Sequence, residues 1–306
     1  MVGRDVFAAF AGKRVLVTGD TGFKGSWLVL WLAALGAEVT GLALPADPAN
    51  LLAGAIGEAK LVRHIDGDIR DLDTIRRTLA AARPQFVFHL AAQALLRRSY
   101  VEPQATFATN LLGSVNVLEA VRQTDSVGAL VYITSDKCYL NKERHEPYRE
   151  DDELGGPDPY SASKACAELA FRAYDQSFLS RRINFGAASA RAGNVIGGGD
   201  RSSDRIVPDT IAALEADKPI VLRKPDATRP WQHVLDPIYG YMRLAVALAR
   251  DPRRFGGAYN FGPDETAIRT VDDLARTIVR AWGDGRIVHQ PDPAAPHEAR
   301  RRRGRA

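Results

Sequence analysis

The sequence predicts an α/β fold in which a Rossmann-like, doubly wound parallel sheet carries a smaller, less regular lobe. Short β-rich runs alternate with helical patterns over the first 188 residues, and this alternation with short connections is typical of a parallel sheet covered by helices on both faces. The first β-rich run ends at a glycine-rich turn that opens at once into an apolar helix. From Gly197 onwards, three consecutive glycines and several prolines break the alternation, which predicts loops and a second lobe.

The individual elements follow from the local sequence. Strands are predicted where short runs are rich in β-branched and aromatic residues, at residues 13–18, 38–44, 85–90, 128–133 and 183–188. Helices are predicted where apolar residues recur at helical spacing, at residues 25–35, 72–82, 110–122 and 161–178. The first of these helices is apolar almost all round and should be buried, and the second ends before Pro84, which cannot continue it. A further helical pattern over residues 231–250 indicates that the chain returns to the first domain.

Length and composition limit the class of protein. The 306-residue chain suits one large domain or two interleaved ones. Its longest apolar stretch, residues 27–35, is far shorter than the roughly 20 residues of a membrane span, and no signal-peptide pattern opens the sequence. Cys138 and Cys166 have neither a CxxC spacing nor a histidine cluster beside them. We therefore expect a cytoplasmic protein with no membrane partner, no disulfide framework and no metal site.

The formal net charge of +4 at pH 7 comes from the end of the chain. Five arginines lie in the last seven residues, namely Arg300, Arg301, Arg302, Arg303 and Arg305. A basic tail can contact nucleic acid or an acidic surface, but no aromatic or structured basic face accompanies this one. A solvated, disordered end is the favoured interpretation, and we expect no nucleic-acid partner.

The glycine-rich turn runs from Gly19 to Gly25 with the spacing GxxGxxG. Glycines permit a tight turn and the close approach of a pyrophosphate, and the helix that follows offers free N–H groups and a positive dipole end. The sequence therefore predicts a dinucleotide-binding domain at residues 1–188, to which the chain returns around residues 231–262, and a substrate lobe at residues 189–306. The cofactor-binding candidates in the turn are Gly19, Thr21, Gly22, Phe23, Lys24 and Gly25.

The residues at the end of the second strand help to indicate whether the dinucleotide is NAD or NADP. Rossmann folds usually place an acid there for NAD, or an arginine nearby for NADP, and the sequence Leu-Ala-Leu-Pro at residues 42–45 provides neither. The missing arginine favours NAD. Asp68 and Ile69 fall where a third strand would end and could meet the adenine, although Asp68 could equally be a loop or helix-capping carboxylate.

Tyr160 and Lys164 are four residues apart in a helical pattern, which places them on one face, one turn apart. A tyrosine accepts a proton near neutral pH only if positive charge lowers its pKa from about 10. An adjacent ammonium and an oxidised nicotinamide would both do so. The pair therefore suits removal of a hydroxyl proton while a hydride leaves the same carbon.

Thr134, Ser135, Asp136 and Lys137 follow directly after a predicted strand. Ligands of open α/β sheets bind outside the carboxyl ends of the strands, so these residues should line the same crevice as Tyr160. The alternative for Asp136 and Lys137 is a solvated turn at the end of the strand. Side chains that faced bulk solvent, away from Tyr160, would exclude a catalytic role for the pair.

Several motifs resemble the extended short-chain dehydrogenase/reductase superfamily. The glycine turn, Leu90-Ala91-Ala92, Asn110, Tyr160 and Lys164 carry this resemblance. More narrowly, the chain resembles the CDP-glucose 4,6-dehydratases, over roughly residues 7–298. The stretches that carry the narrower resemblance are Thr18–Trp27, Thr134–Tyr139, Asp158–Lys164, Asn194–Asp200 and Arg229–Val234.

This resemblance implies a homodimer that uses NAD catalytically on a nucleotide-sugar substrate, converting CDP-glucose to CDP-4-keto-6-deoxyglucose and water. It implies that Tyr160 takes the proton of the 4-hydroxyl, that Thr134 hydrogen-bonds the same oxygen, and that Lys164 holds the tyrosinate and the ribose. Lys137 would be the base at C5, and Asp136 the acid that protonates the departing 6-hydroxyl. The residues expected to contact the cofactor also include Leu90, Ala91, Ala92 and Asn110, and those expected to contact the substrate are Gln93, Asn194, Arg205 and Arg229.

The chain departs from the family pattern at two places. Arg201 stands where relatives carry a tryptophan. After residue 299 the sequence turns into arginines where the family continues through another structured segment, so we expect a substrate lobe that is incomplete at its C-terminal end. Two other functions stay open. A nucleotide-sugar 4-epimerase shares the tyrosine, lysine and NAD but needs no Asp-Lys pair, and the departure at the C-terminal end makes a cofactor-binding protein without turnover plausible.

Overall fold

The computed structural model describes residues 8–48, 50–142, 144, 146–263 and 267–290. The arginine-rich end, on which the predictions of a solvated tail and an incomplete lobe depend, lies outside the described residues. Within the described ranges, each helix is too short or too polar to cross a bilayer.

The strands of the described chain form one large parallel sheet and three small two-stranded sheets. In chain order they are β1 (Arg14–Thr18), β2 (Glu38–Ala43), β3 (Arg63–Asp66), β4 (Phe86–His89), β5 (Ala129–Ile133), β6 (Gly186–Ala192), β7 (Val195–Ile196), β8 (Ile220–Leu222), β9 (Thr228–Pro230), β10 (Gln232–His233), β11 (Gly257–Phe261), β12 (Ile268–Thr270) and β13 (Ile287–His289). The large sheet has the order β11-β6-β5-β4-β1-β2-β3, and each of its neighbouring pairs is parallel. The predicted parallel sheet is confirmed.

Helices connect the strands and cover both faces of the sheet. They are α1 (Phe23–Ala34), α2 (Leu51–Glu58), α3 (Leu72–Ala82), α4 (Leu96–Val101), α5 (Pro103–Phe107), α6 (Ser114–Arg122), α7 (Pro159–Ser177), α8 (Ile206–Glu215), α9 (Leu235–Arg250), α10 (Pro252–Phe255) and α11 (Val271–Trp282). One hydrophobic cluster joins α1 and α9 to one face of the sheet, and a second joins α3, α6 and α7 to the other. This doubly wound arrangement brings the carboxyl ends of the strands to one edge, where a ligand site is expected.

Local capping fixes the start of the helix that carries the predicted tyrosine. Asp158 accepts hydrogen bonds from the backbone N–H of Ser161 at 2.8 Å and from its hydroxyl at 2.7 Å. Pro159 occupies the first helical position, where its missing N–H costs nothing and its fixed φ suits a helix. Tyr160 therefore lies in the first turn of α7, next to the carboxyl ends of β5 and β6.

Three predicted elements begin later than expected. The helix predicted over residues 110–122 begins as α-helix only at Ser114. The preceding residues, Ala108–Gly113, form a π-helical turn in which the Asn110 side chain is buried. The strand predicted from residue 183 begins at Gly186, because Ile183 is 88% exposed and Asn184 turns the chain at φ +57°. After the strand β10, the predicted helix of residues 231–250 begins at Leu235.

The chain returns to the large sheet after the irregular segment that follows Gly197. The helix α9 packs on the sheet, and β11 then pairs with β6 along its whole length. Residues 205–230 and 268–289 form the small sheets and helices of a separate cluster around Ile220, Leu222 and Ala275. The division into domains at residues 188 and 189 stays a prediction.

Candidate active site

A cavity of about 880 Å³ lies at the carboxyl edge of the large sheet. The loops after β1, β4, β5 and β6 form one wall, and the elements around α8 and β8 form the other. Its volume falls within the range of pockets that hold small ligands and cofactors. Each residue group predicted from the sequence can be placed relative to this cavity.

The glycine turn closes one end of the cavity at the start of α1. Gly19 has φ +76°, and a Cβ there would lie 2.7 Å from the backbone nitrogen of Ala91. A Cβ on Gly25 would lie 2.0 Å from the carbonyl oxygen of Gly19. Gly22 precedes the helix and leaves its first N–H groups open to an anion. This backbone cradle therefore fits the pyrophosphate of NAD, and Gly19, Thr21, Gly22, Phe23, Lys24 and Gly25 all line it.

Lys24 adds positive charge between this cradle and the rest of the cavity. Burial lowers the pKa of Lys24 to about 8, and the nearby Arg205 and Lys164 act in the same direction. Three cations facing one cavity disfavour one another, and they favour a bound polyanion. The electrostatics of the site thus match phosphate-bearing ligands.

Asp20, the second residue of the turn, points away from the cavity. Its carboxylate lies 2.7 Å from Nδ1 of His64, whose Nε2 lies 3.0 Å from Asp66. Burial raises the pKa of Asp20, although His64 partly offsets this effect. Burial alone would lower the pKa of His64, but its hydrogen bonds to Asp20 and Asp66 raise it. Asp20 thereby ties the turn to β3.

The end of the cavity where the adenine is expected is lined by residues of β2 and of the loop after β3. Asp68 and Ile69 are both in this lining, and Asp68 accepts hydrogen bonds from Arg70 Nε at 2.8 Å and Nη2 at 2.6 Å. The hydrogen bond from Arg70 lowers the pKa of Asp68. Asp68 does not cap a helix, because Asp71 is the residue that caps α3. Asp68 does act as a loop carboxylate, since its Oδ1 accepts the Arg70 N–H at 2.8 Å, and its contact with the adenine stays a prediction. Arg70 also lines the cavity, and the sequence analysis missed it.

Leu90, Ala91, Ala92 and Gln93 line the cavity beyond β4, but Asn110 does not. Asn110 is fully buried in the π-helical turn. Its Oδ1 accepts from the Gln93 backbone at 2.8 Å, and its Nδ2 donates to the Gln93 carbonyl and to Ser163 Oγ, each at 3.0 Å. The expectation that Asn110 contacts the cofactor is therefore corrected. Its side-chain amide hydrogen-bonds the loop after β4 and the helix α7 instead.

Tyr160 and Lys164 lie one turn apart on α7 and both line the cavity, as the spacing predicted. Both side chains are largely buried, with 6% and 5% of their surface exposed. Burial lowers the pKa of Lys164 to about 8, although the neighbouring Glu168 carboxylate raises it. The pair therefore presents a phenol and a buried ammonium group to the same ligand.

The segment after β5 brings Thr134, Ser135, Asp136 and Lys137 to the same cavity. Residues Asp136–Cys138 form a single 3₁₀ turn, whose start is capped by Ser135 Oγ accepting from the Lys137 N–H at 3.3 Å. Lys137 Nζ lies 5.4 Å from the centre of the Tyr160 ring. Asp136 Oδ2 is buried and has no hydrogen-bond partner among the residues that the structure describes. A buried oxygen without a partner is rare in folded proteins, and here it belongs to a residue that lines the cavity.

The opposite wall of the cavity is rich in arginine. Asn194, Arg205 and Arg229 line it as predicted, and Arg205 donates to Asp200 at 2.9 Å. Arg97, Arg223 and Lys224 line this wall too, and none of them was predicted from the sequence. They lie in two places far apart in the chain, on α4 and in the loop after β8, and in no recognisable motif, so nothing in the sequence singles them out. The predicted substrate contacts therefore belong to a larger basic wall.

The fold and the site define a class of protein: a Rossmann-type dinucleotide-binding protein with a Tyr/Lys pair next to a basic pocket. The chain belongs to the NAD dependent epimerase/dehydratase family, whose model matches residues 15–262. NAD is the cofactor of this family, and solved relatives contain it.

Individual relatives are consistent with this assignment. The curated CDP-glucose 4,6-dehydratase of Salmonella typhimurium is 45% identical over 292 residues, which cover 94% of this chain and 81% of the relative. The UDP-glucose 4-epimerase of Thermus thermophilus, solved with NAD, is 30% identical with a TM-score of 0.77 over 95% of this chain and 90% of the other. A double mutant of dTDP-glucose 4,6-dehydratase from Streptomyces venezuelae, solved with NAD, is 24% identical with a TM-score of 0.79. The match covers 95% of this chain and 88% of the other, and it supports the fold alone.

Proposed function

We propose that this protein is a hydro-lyase that converts CDP-glucose to CDP-4-keto-6-deoxyglucose and water, with NAD as a catalytic cofactor. The observation that carries the proposal is the position of Asp136 and Lys137 beside Tyr160 in one cavity. A 4-epimerase has no use for an acid and a base at neighbouring carbons, whereas an elimination needs both. The identity of 45% to a curated CDP-glucose 4,6-dehydratase supports the same activity.

The first stage is oxidation at C4 of the sugar. Tyr160 takes the proton of the 4-hydroxyl, and Thr134 hydrogen-bonds the same oxygen. Lys164 in its charged form stabilises the tyrosinate. NAD would be held by the glycine turn, the loops after β3 and β4, and Lys164. It would supply the acceptor for the C4 hydride and the hydride for C6, with no net change in its redox state.

The second stage is elimination across C5 and C6. The 4-ketone acidifies the C5 proton, and Lys137 removes it in its neutral form. Asp136 gives a proton to the departing 6-hydroxyl, which leaves as water, and Lys137 returns its proton to C5 when the hydride reaches C6. The requirement that the pKa of Lys137 fall far below 10.4 stays a prediction.

The basic wall of the cavity suits the diphosphate of the substrate. Arg205 and Arg229 offer guanidinium forks, which match phosphate oxygens geometrically. Asn194 and Gln93 add neutral hydrogen-bonding groups to the same lining. The cytidine base is inferred from the similarity to the Salmonella enzyme and not from any single side chain.

The experiment that tests the function is incubation of the protein and NAD with CDP-, dTDP-, GDP- and UDP-glucose, followed by detection of a keto sugar. We expect a 4-keto-6-deoxy product from CDP-glucose. With deuterium at C4 of the sugar, the label should migrate to C6. Return of the label to C4 would establish an epimerase, and tight NAD binding without a product from any of the four sugars would establish a cofactor-binding protein without turnover.

The assembly and location of the enzyme are part of the proposal. Exposed apolar side chains lie on helical segments beside the active site, among them Val101, Leu112 and Leu169, and such a surface suits a homodimer. Light scattering coupled to gel filtration should give twice the chain mass. We place the enzyme in the cytoplasm, where its product would feed deoxysugar biosynthesis, including that of the lipopolysaccharide O-antigen.

A further inference from the structure

Tyr139 follows directly after the 3₁₀ turn that carries Asp136 and Lys137, and the proposed reaction gives it no role. Only 2% of its surface is exposed, and it does not line the cavity, whereas Asp136 and Lys137 both do. The turn therefore has one side toward the cavity and a buried side on which Tyr139 lies. Tyr139 can influence a bound sugar only through the turn that precedes it.

The hydrogen bonds within this turn are few and long. The Cys138 N–H donates to the Ser135 carbonyl at 3.1 Å. The Tyr139 N–H donates to the Asp136 carbonyl at 3.4 Å. A single 3₁₀ turn has poorer hydrogen-bond geometry than an α-helix, and it does not define its own position in the fold. The acid and the base on this turn therefore depend on contacts outside the turn for their place in the cavity.

Two side chains of the neighbouring strands hold the Tyr139 hydroxyl. It donates to Asn260 Oδ1 at 2.7 Å and accepts from Arg191 Nη1 at 2.7 Å. Arg191 in β6 and Asn260 in β11 are register partners, so their side chains lie next to each other. A phenol has one proton to donate and lone pairs that accept, and this pair of residues supplies one acceptor and one donor. Burial raises the pKa of Tyr139, so the phenol keeps the proton that it donates.

Arg191 is itself fixed by further contacts. Its side chain is 5% exposed, Nη1 also donates to the Glu150 carbonyl at 2.9 Å, and Nη2 donates to Glu168 Oε2 of α7 at 2.7 Å. Its Nε has no hydrogen-bond partner among the residues that the structure describes. A buried guanidinium is weak evidence for stability, because apolar residues of similar volume often stabilise a core at least as well. The arrangement therefore fits a role in fixing geometry better than a role in stability.

We propose that Tyr139 is a positioning residue: through Arg191 and Asn260 it holds the turn with the acid and the base at the place that elimination requires. This inference rests on the proposed function. The groups that act at C4 include Tyr160 and Lys164, which lie on α7 and not on this turn. Loss of the Tyr139 hydroxyl should therefore slow elimination and spare the oxidation that precedes it.

Tyr139→Phe tests this selectivity, because it keeps the ring that stacks on Tyr148 and removes only the hydroxyl. NAD affinity should be unchanged, as should the rate at which reduced nicotinamide appears after mixing with CDP-glucose in a single turnover. C5 exchange in D₂O and formation of the keto sugar should both fall roughly 10- to 100-fold, the usual result of misplacing a catalytic group by about 1 Å. With deuterium at C5, the isotope effect on turnover should rise, because elimination then limits the rate.

Tyr241→Phe is the matched control. Tyr241 in α9 is fully buried and does not line the cavity, and its hydroxyl has no partner among the described residues. The substitution removes the same atom from an equally buried ring. It should leave oxidation, C5 exchange and the isotope effect unchanged.

A purely structural role for Tyr139 would lower the melting temperature and leave the rates of oxidation and elimination in their wild-type ratio, and that result overturns the inference. Should Tyr139→Phe fail to fold, Asn260→Ala removes the acceptor of the same hydroxyl, and the same ratio decides. The two proposals fail separately. A wild-type protein that forms no keto sugar refutes the proposed function, whereas an unchanged ratio in an active protein refutes only the role of Tyr139.

Discussion

Lys137 is the residue whose loss should separate the two stages of the proposed reaction. Its Nζ lies over the Tyr160 ring but contributes nothing to the glycine cradle. We expect Lys137→Ala to bind NAD with unchanged affinity while turnover falls by roughly 10²–10⁴-fold, the usual contribution of a general base. NMR of the substrate in D₂O should show that C5 exchange is lost. Full turnover in this variant would discredit the assignment.

Asp136 provides the complementary test, because it should act one step later. Asp136→Asn keeps the size of the side chain but has no proton to transfer to the 6-hydroxyl. C4 oxidation and C5 exchange should persist, while release of water falls by roughly 10²–10⁴-fold. Loss of C5 exchange together with dehydration would indicate that Asp136 is needed before the elimination, contrary to the proposed role.

Among the individual residues of the site, those in contiguous motifs could be predicted from the sequence. Those that only the fold brings together could not. Tyr160 and Lys164 were found because a spacing of four has a fixed meaning on a helix. Arg97 and Arg223 were missed because only the fold brings them to one carboxylate, Asp204, at 3.3 and 3.1 Å. Asn110 was placed in the cavity by resemblance, but its motif does not reveal that a π-helical turn aims the amide at a neighbouring loop.

The glycine turn and the start of α1 act as one element, and Gly25 tests it. A Cβ at this position would lie 2.0 Å from the carbonyl oxygen of Gly19, which is backbone and cannot rotate away. We expect Gly25→Ala to open the turn and to weaken NAD binding by at least roughly tenfold in a fluorescence titration, the worth of about one hydrogen bond to the pyrophosphate.

The matched control is Gly54→Ala in α2, where a Cβ meets nothing within 4 Å. It should leave NAD affinity unchanged and raise stability by about 0.5–1 kcal/mol. Equal NAD affinities for both variants would contradict a cradle at the turn.

The basic wall depends on elements from both parts of the molecule. Asp204 has a strained φ of +61° and bridges Arg97 of α4 to Arg223 after β8. If these arginines bind the diphosphate, Arg223→Ala should raise KM for CDP-glucose by roughly ten- to a hundredfold with a smaller effect on kcat, because the contact is made equally in ground and transition states. The control is Arg201→Ala, whose side chain pairs with Glu215 and does not line the cavity. A similar KM in both variants would place the diphosphate elsewhere.

Among the elements, the positions of the central strands were predicted closely from the sequence. The short strands of the second lobe were not predicted. The strands β1, β2, β4 and β5 are buried on both faces and therefore appear in the sequence as continuous apolar runs. The helix α2 was missed because its eight residues include two glycines and only one fully buried side chain. The small sheets of β7 to β10 consist of two or three residues per strand, too few to produce a recognisable alternation.

For the molecule as a whole, the centre of the large sheet contains a histidine that links folding to pH. His89 in β4 is buried, with Thr18 Oγ1 2.7 Å from Nδ1 and Ser114 Oγ 2.9 Å from Nε2. Burial, with a smaller effect from the charge of Lys164, lowers the pKa of His89 to about 3. In the unfolded chain the pKa returns to about 6.5. Between these values the unfolded state binds a proton that the folded state does not, so the free energy of unfolding falls as the pH falls below about 6.5.

The size of this effect follows from the linkage relation, and His89→Gln isolates it. The full slope is about 1.4 kcal/mol per pH unit, which amounts to about 1 kcal/mol between pH 6.5 and 5.5 for one histidine. His64 has the opposite effect on stability, because its pKa is raised in the folded state and it stabilises the fold below that pKa. The pH dependence of wild-type stability alone therefore does not isolate the contribution of His89. The glutamine can bond the same two hydroxyls but does not titrate. Urea unfolding at both pH values should therefore show the stability advantage of wild type over His89→Gln shrinking by about 1 kcal/mol at pH 5.5. An advantage that stays constant between the two pH values would mean that His89 accepts its proton inside the folded sheet.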